Sequence, residues 1–138
     1  MAVKIFYFAY KLRKKKFRLI PRICELILRY TFGIEISTRM VCGTGLQLPH
    51  NGLGVVINPK TILGNNVKIH QNVTLGGREG SGCPIIGDNV LIGCGAVLLG
   101  DITVGNGAKI GSNAVVLTSV PDDAIAVGIP AVIKEKKR

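Results

Sequence analysis

Two side chains in this 138-residue sequence can act as acid and base near neutral pH, because His50 and His70 are its only histidines. His50 stands in Pro49-His50-Asn51-Gly52, a turn-forming run. His70 directly follows the apolar Ile69 and reads as a surface or interface imidazole. Four cysteines (Cys24, Cys42, Cys83 and Cys94) show no CxxC spacing, so they read as reduced thiols of a cytoplasmic protein. Two imidazoles cannot supply the three histidine ligands of a catalytic zinc, and no metal is expected.

What must position these residues is a repeat with a period of six. Every sixth residue is apolar: Ile36, Cys42 and Leu48; then Ile57, Leu63, Ile69 and Leu75; then Ile86, Ile92, Leu98, Val104, Ile110 and Val116. Glycine often follows (Gly64, Gly87, Gly93, Gly105, Gly111), where it is expected to supply unusual corner angles. A second small or branched residue lies four places on, from Thr61 and Val67 to Val120. Neither a helix nor a simple strand has that period; a hexapeptide β-helix does. Three hexads make one triangular coil, and coils gain stability only by stacking. A β-sandwich of short strands would show a looser spacing and alternating faces.

The period is broken twice. The step from Leu48 to Ile57, around His50, is longer than a hexad. So is the step from Leu75 to Ile86, around Gly76-Gly77-Arg78-Glu79-Gly80-Ser81-Gly82-Cys83-Pro84. A solenoid accepts insertions only as loops at its corners, and such loops on a rigid scaffold commonly carry chemistry.

The net charge of +10 belongs to the chain ends. Residues 1–30 hold nine Lys or Arg against Glu25 alone, and four more basic residues lie in 134–138. The near-neutral middle lacks the basic, aromatic-studded face of a nucleic-acid binder. The charge fits a phosphate-rich cofactor or peripheral contact with an anionic membrane through the N-terminus. No apolar run is long enough for a membrane helix, and no signal peptide is seen. Residues 3–14 and about 20–31 read as helices, the second presenting Ile23, Leu26, Ile27 and Tyr30 on one face. A cap over the open end of the coil is the favoured reading, and a membrane or partner-docking helix is the alternative. The expected organisation is an N-terminal helical segment (1–33), a β-helix (34–121), and a C-terminal strand with a basic tail (122–138).

The hexads, Asn72-Val73-Thr74-Leu75-Gly76-Gly77, Gly107-Ala108-Lys109-Ile110-Gly111 and Val127-Gly128-Ile129-Pro130-Ala131 resemble the serine acetyltransferase branch of the hexapeptide-repeat acyltransferases. The short helical part resembles the acetyltransferases of exopolysaccharide clusters, such as the colanic-acid type. The resemblance implies an all-β fold, a left-handed parallel β-helix, and a homotrimer with active sites between subunits. It implies an acetyl-CoA-dependent O-acetyltransferase by direct attack. His50 matches the general base, and Glu35 matches the Asp that orients it. Gly76 and Gly77 are expected to supply oxyanion donors. Cys94 and Ser112 are expected against the pantetheine, with Lys109 and the basic tail toward the phosphates. Cys94 as a covalent nucleophile is disfavoured by the family's direct attack.

Pro49 replaces an Asp, and Cys83 a His, that help hold the amino acid in serine acetyltransferases. With Asn51 they form the expected substrate loop. Their neutral character points to a sugar hydroxyl in polysaccharide biosynthesis, with a sugar or glycan precursor as acceptor; serine O-acetylation is the alternative. A structural or ice-binding β-helix would carry a regular Thr array and no His50 insertion, unlike this chain.

Overall fold

Two-to-three-residue strands recur on three faces, as a hexad with one corner per strand demands. They belong to a computed structural model in which residues 1–135 are described; Lys136, Lys137 and Arg138 of the expected basic tail lie outside them. The first face stacks β2 (Val56–Ile57), β5 (Thr74–Gly76), β8 (Val97–Leu99) and β11 (Val115–Val116). The second stacks β1 (Val41–Cys42), β3 (Ile62–Leu63), β6 (Ile85–Ile86) and β9 (Thr103–Val104). The third stacks β4 (Lys68–Ile69), β7 (Leu91–Ile92), β10 (Lys109–Ile110) and β12 (Ile125–Val127), with β13 (Val132–Lys134) beside β12. All pairings are parallel except β12 with β13.

The chain visits the faces in the same rotation throughout, so successive turns begin at Glu35, Val56, Thr74, Val97 and Val115. The head of each hexad points inward and stacks on its equivalent: Ile57 on Leu75, Leu98 and Val116, for example, all buried. The second inward positions, among them Val67, Val73, Ala96 and Ala108, are buried as well. Such a column has no apolar surface left to water except at its ends.

The glycine after each inward residue has a different cause from the expected one. None of Gly43, Gly64, Gly87, Gly93, Gly105 and Gly111 has a positive φ. A Cβ on Gly43 would lie 2.6 Å from the Gly64 carbonyl oxygen, and one on Gly93 2.6 Å from the Ser112 nitrogen. Coil-to-coil spacing excludes a side chain there. The left-handed angles fall two residues later, on Gly45, Gly95 and Gly107 and on Asn66, Asn89 and Asn113. Asparagine tolerates that region better than other side chains.

An unbroken turn carries Leu98 to its stacking partner Val116, three hexads on. The turn with the first insertion, from Cys42 to Leu63, is longer, and that with the second, from Leu75 to Leu98, is longer still. A third irregularity shortens the last turn. Val104 bridges Val120 and Ile110 pairs with Ala126, each pair closer in sequence than three hexads. The coil therefore runs on to Val127, past the boundary at 121 drawn from the sequence, and only β13 turns back. The shortening was hidden because Val120, the second apolar residue of the Val116 hexad, also heads the next side of the coil.

Helix α1 (Ala2–Lys14) and helix α2 (Leu19–Phe32) lie over the first coil, and Gly33 ends α2 in a left-handed conformation (φ 66). Phe6 and Leu28 are fully buried against the coil end. Tyr7 Oη donates to the Gly43 carbonyl at 2.8 Å and accepts from the Leu46 N–H at 3.0 Å. Tyr10 Oη accepts from the Cys42 N–H at 3.3 Å. Phenols thus occupy backbone groups that would otherwise form an open edge. Burial, the largest influence on each, raises the pKa of Tyr7 and of Cys42. Glu25 ties α2 down by accepting from the Thr38 N–H and Oγ1, both at 2.7 Å.

The side of α2 that faces the coil is not the expected one. Pro21, Cys24 and Leu28 are buried, while Ile23, Leu26, Ile27 and Tyr30 are exposed. The smaller Pro and Cys let the helix approach closely, and its bulkier apolar face is left outward. Among the described residues no helix is long and apolar enough to cross a membrane.

Candidate active site

His50 lies at the corner where the chain passes from the third face to the first, in a 3-10 turn, Pro49–Gly52. Pro49 opens the turn, and three successive residues hold positive φ: His50 (54°), Asn51 (55°) and Gly52 (72°). A Cβ on Gly52 would meet Ile34 Cδ1 at 2.7 Å, so the turn is seated on the top of the core. The Asn51 side-chain oxygen accepts from the Met1 nitrogen at 2.9 Å and the Ala2 N–H at 3.4 Å, which places it at the start of α1 rather than in a free substrate loop. The His50 imidazole is exposed.

Below it, the same corner of the next coils forms a groove. His50, His70, Cys94, Lys109 and Ser112 line one cavity of about 450 Å3. Strand register puts His70, Gly93 and Gly111 in one column, with Gln71, Cys94 and Ser112 in the next. Bare backbone at Gly93 and Gly111 makes the floor. Cys94 Sγ lies 3.3 Å from Ser112 Oγ, so the two small polar side chains form one wall. Lys109 brings a cation to the lower end.

His70, read from the sequence as a surface or interface imidazole, lines this groove. The signal was present in the sequence, since His70, Gly93 and Gly111 each directly follow an inward residue of the third face. Without register, however, their common column was not visible.

The other expected residues lie elsewhere on the chain. Glu35 bridges β2 through its backbone, accepting from Ile57 N–H and donating to the Val55 carbonyl, just beyond the His50 turn. Its carboxylate is 3.5 Å from Arg29 and lines a separate cavity of about 190 Å3 with Arg22, Glu25, Arg39 and Pro59. Gly76, Gly77 and Cys83 belong to the second insertion, at the corner between the first and second faces. Cys83 is buried beneath that loop, 3.6 Å from where a Cβ of Gly77 would stand. One chain therefore brings His50, His70, Cys94, Lys109 and Ser112 together and holds the second loop apart from them. No group of three or more His, Cys, Asp or Glu able to hold a metal occurs among the described residues.

The bacterial transferase hexapeptide family (six repeats) matches residues 83–118. The serine acetyltransferase of Staphylococcus xylosus is 44% identical over 134 residues, covering 94% of this chain and 62% of that protein. That of Helicobacter pylori strain 26695 is 41% identical over 140 residues, covering 99% of this chain and 81% of that protein. Among solved structures, soybean serine acetyltransferase superposes with a TM-score of 0.87 at 38% identity, over 96% of this chain and 56% of that one. A serine acetyltransferase in complex with CoA gives 0.86 at 34% identity, over 96% and 55%. The chain thus spans about three fifths of the Staphylococcus relative's length.

These relatives overturn the expectation of a polysaccharide acetyltransferase with a sugar acceptor, and they do not support the likeness to exopolysaccharide-cluster enzymes. That expectation rested on Pro49 and Cys83. Pro49 opens the turn and Cys83 is buried, so the neutral type at each position has a structural cause of its own. Identity of 41% across nearly the whole chain, covering four fifths of the Helicobacter protein, decides the membership: the chain belongs to the serine acetyltransferase family of hexapeptide-repeat transferases.

Proposed function

We propose that the chain is an acetyl-CoA-dependent serine O-acetyltransferase, with His50 as general base. The observation that carries this reading is an exposed imidazole at the head of a glycine-floored groove that ends in a cation. A hydroxyl is a weak nucleophile near neutral pH. His50 accepts its proton as the oxygen attacks the thioester carbonyl carbon; the tetrahedral oxyanion then collapses and expels the CoA thiolate. Pantetheine lies along Gly93 and Gly111 beside Cys94 and Ser112, and Lys109 meets phosphate. The CoA complex of a solved relative supports this donor.

The remaining parts require a second copy. The two insertions occupy different corners of the prism, so the oxyanion donor reaches the groove from a neighbouring subunit. It is the Gly77 N–H, because Gly76 is paired with Leu99 in the β5–β8 ladder and its N–H is used there. A homotrimer, a left-handed winding and a cytoplasmic location complete the proposal, supported by the family resemblance and by four cysteines that are all free thiols. Glu35, the expected orienting carboxylate, instead meets Arg29 at 3.5 Å in a cavity separate from the His50 groove, so the structure does not pair it with the imidazole.

Serine-dependent release of CoA thiol from acetyl-CoA tests both parts. The parent protein turns over, and His50→Ala lowers kcat by about 10²–10⁴. Near-parental turnover by His50→Ala would sink the base assignment, and no serine dependence in the parent would sink the acceptor.

A further inference from the structure

The cap carries a surface that the catalytic reading does not use. Leu19, Ile20, Ile23, Leu26, Ile27 and Tyr30 are all exposed on α2, Tyr30 by 82% and Leu19 by 74%. At 100° per residue they fall within an arc of about 120°, centred about 130° round the helix from the buried stripe of Pro21, Cys24 and Leu28. Isolated exposed apolar residues need no explanation, but six on one helix face form a patch that water disfavours. Phe17, two residues before α2, is also exposed, and on α1 Phe8 and Leu12 line a depression of about 400 Å3 with Lys11, Lys14 and Lys15. Lys16 and Arg18 lie in the linker between the helices.

We propose that the outward face of α2, flanked by this basic cluster, docks the protein on an anionic phospholipid surface. Charge selects the occupant. A second copy presenting the same face would bring two caps together, each with nine Lys or Arg against one Glu over residues 1–30, and they repel. An anionic bilayer attracts that charge and accepts an apolar helix face at its headgroup boundary. The groove below His50 is lined by none of these residues, so docking leaves it open. The contact is peripheral, since neither helix can span the bilayer.

Flotation of the full chain with vesicles tests the proposal, comparing phosphatidylcholine alone with phosphatidylcholine plus phosphatidylglycerol. Binding is expected only to the anionic vesicles, and to weaken with salt. Each positive charge contributes about fivefold in partition, so a triple Lys14→Gln, Lys15→Gln, Lys16→Gln variant weakens binding on the order of a hundredfold. A triple Ile23→Ser, Ile27→Ser, Tyr30→Ser variant keeps its circular dichroism, because these side chains leave the core untouched, and weakens binding about tenfold or more. Absence of binding to anionic vesicles, or binding indifferent to the serine triple, overturns the proposal. So does light scattering in which that triple splits a larger oligomer, which would make the face a contact between copies.

Discussion

His50 and Asn51 hold left-handed backbone angles that cost a non-glycine residue about 1–3 kcal/mol each. The scaffold absorbs this to present the imidazole at the corner. His50→Gly is therefore expected to remove acetyl transfer while raising unfolding stability by about 0.5–1 kcal/mol, once glycine's greater chain entropy offsets part of the relief. Denaturant titration beside the thiol assay would show both. Thr61 occupies a buried hexad position with its Oγ1 unpartnered among the described residues. Thr61→Val is expected to raise the stability by about 1–2 kcal/mol, read in the same titration. His50 was legible in the sequence because it interrupts a period. His70 was not, because its neighbours in the groove, Gly93 and Gly111, come from the next two coils, and only register brings them together. Cys83 misled for a related reason: sequence shows what a residue is, not whether it is buried.

At the scale of elements, the cap depends on a neutral phenol and lies over a buried thiol. Burial raises both Tyr7 and Cys42 above their ordinary values of 10.0 and 9.0. The unfolded chain therefore ionises first, and what the two neutral groups contribute to stability is complete below about pH 9. The folded state loses ground as pH rises through the unfolded values toward the raised folded ones. Stability is expected to fall from about pH 9 upward, and Tyr7→Phe with Cys42→Ala to flatten that slope in thermal melts across pH. Tyr7→Phe alone, by unpairing the Gly43 carbonyl and Leu46 N–H, costs about 1–3 kcal/mol. The helices were legible from their apolar spacing, and Gly33 marked the end of the second. Which face of α2 turns inward was not, since both sides carry apolar residues and close approach favours the smaller. The glycines were legible as a pattern, but their cause is the backbone of the adjacent coil, a full turn away along the chain.

For the whole molecule, two insertions on different corners make catalysis, on the proposed mechanism, a property of the assembly. Copies bearing His50→Ala, mixed with copies bearing a bulky substitution at Gly77, are expected to regain part of the parental thiol release, because some interfaces then join an intact His50 to an intact loop. Each variant alone stays inactive; failure of mixed assemblies to recover would place the whole site within one chain. The regular stacking of the coils has a further consequence. His70 and Lys109 lie two coils apart on the same face, and adjacent coils are separated by about 4.8 Å. The groove is thus a ruler graduated in coils, with His50 near its zero and Lys109 at a fixed mark. Duplicating one unbroken turn between them would lengthen the ruler by one division and leave the folding rule unchanged. Such a protein would still fold, and would fit only a donor longer by that much.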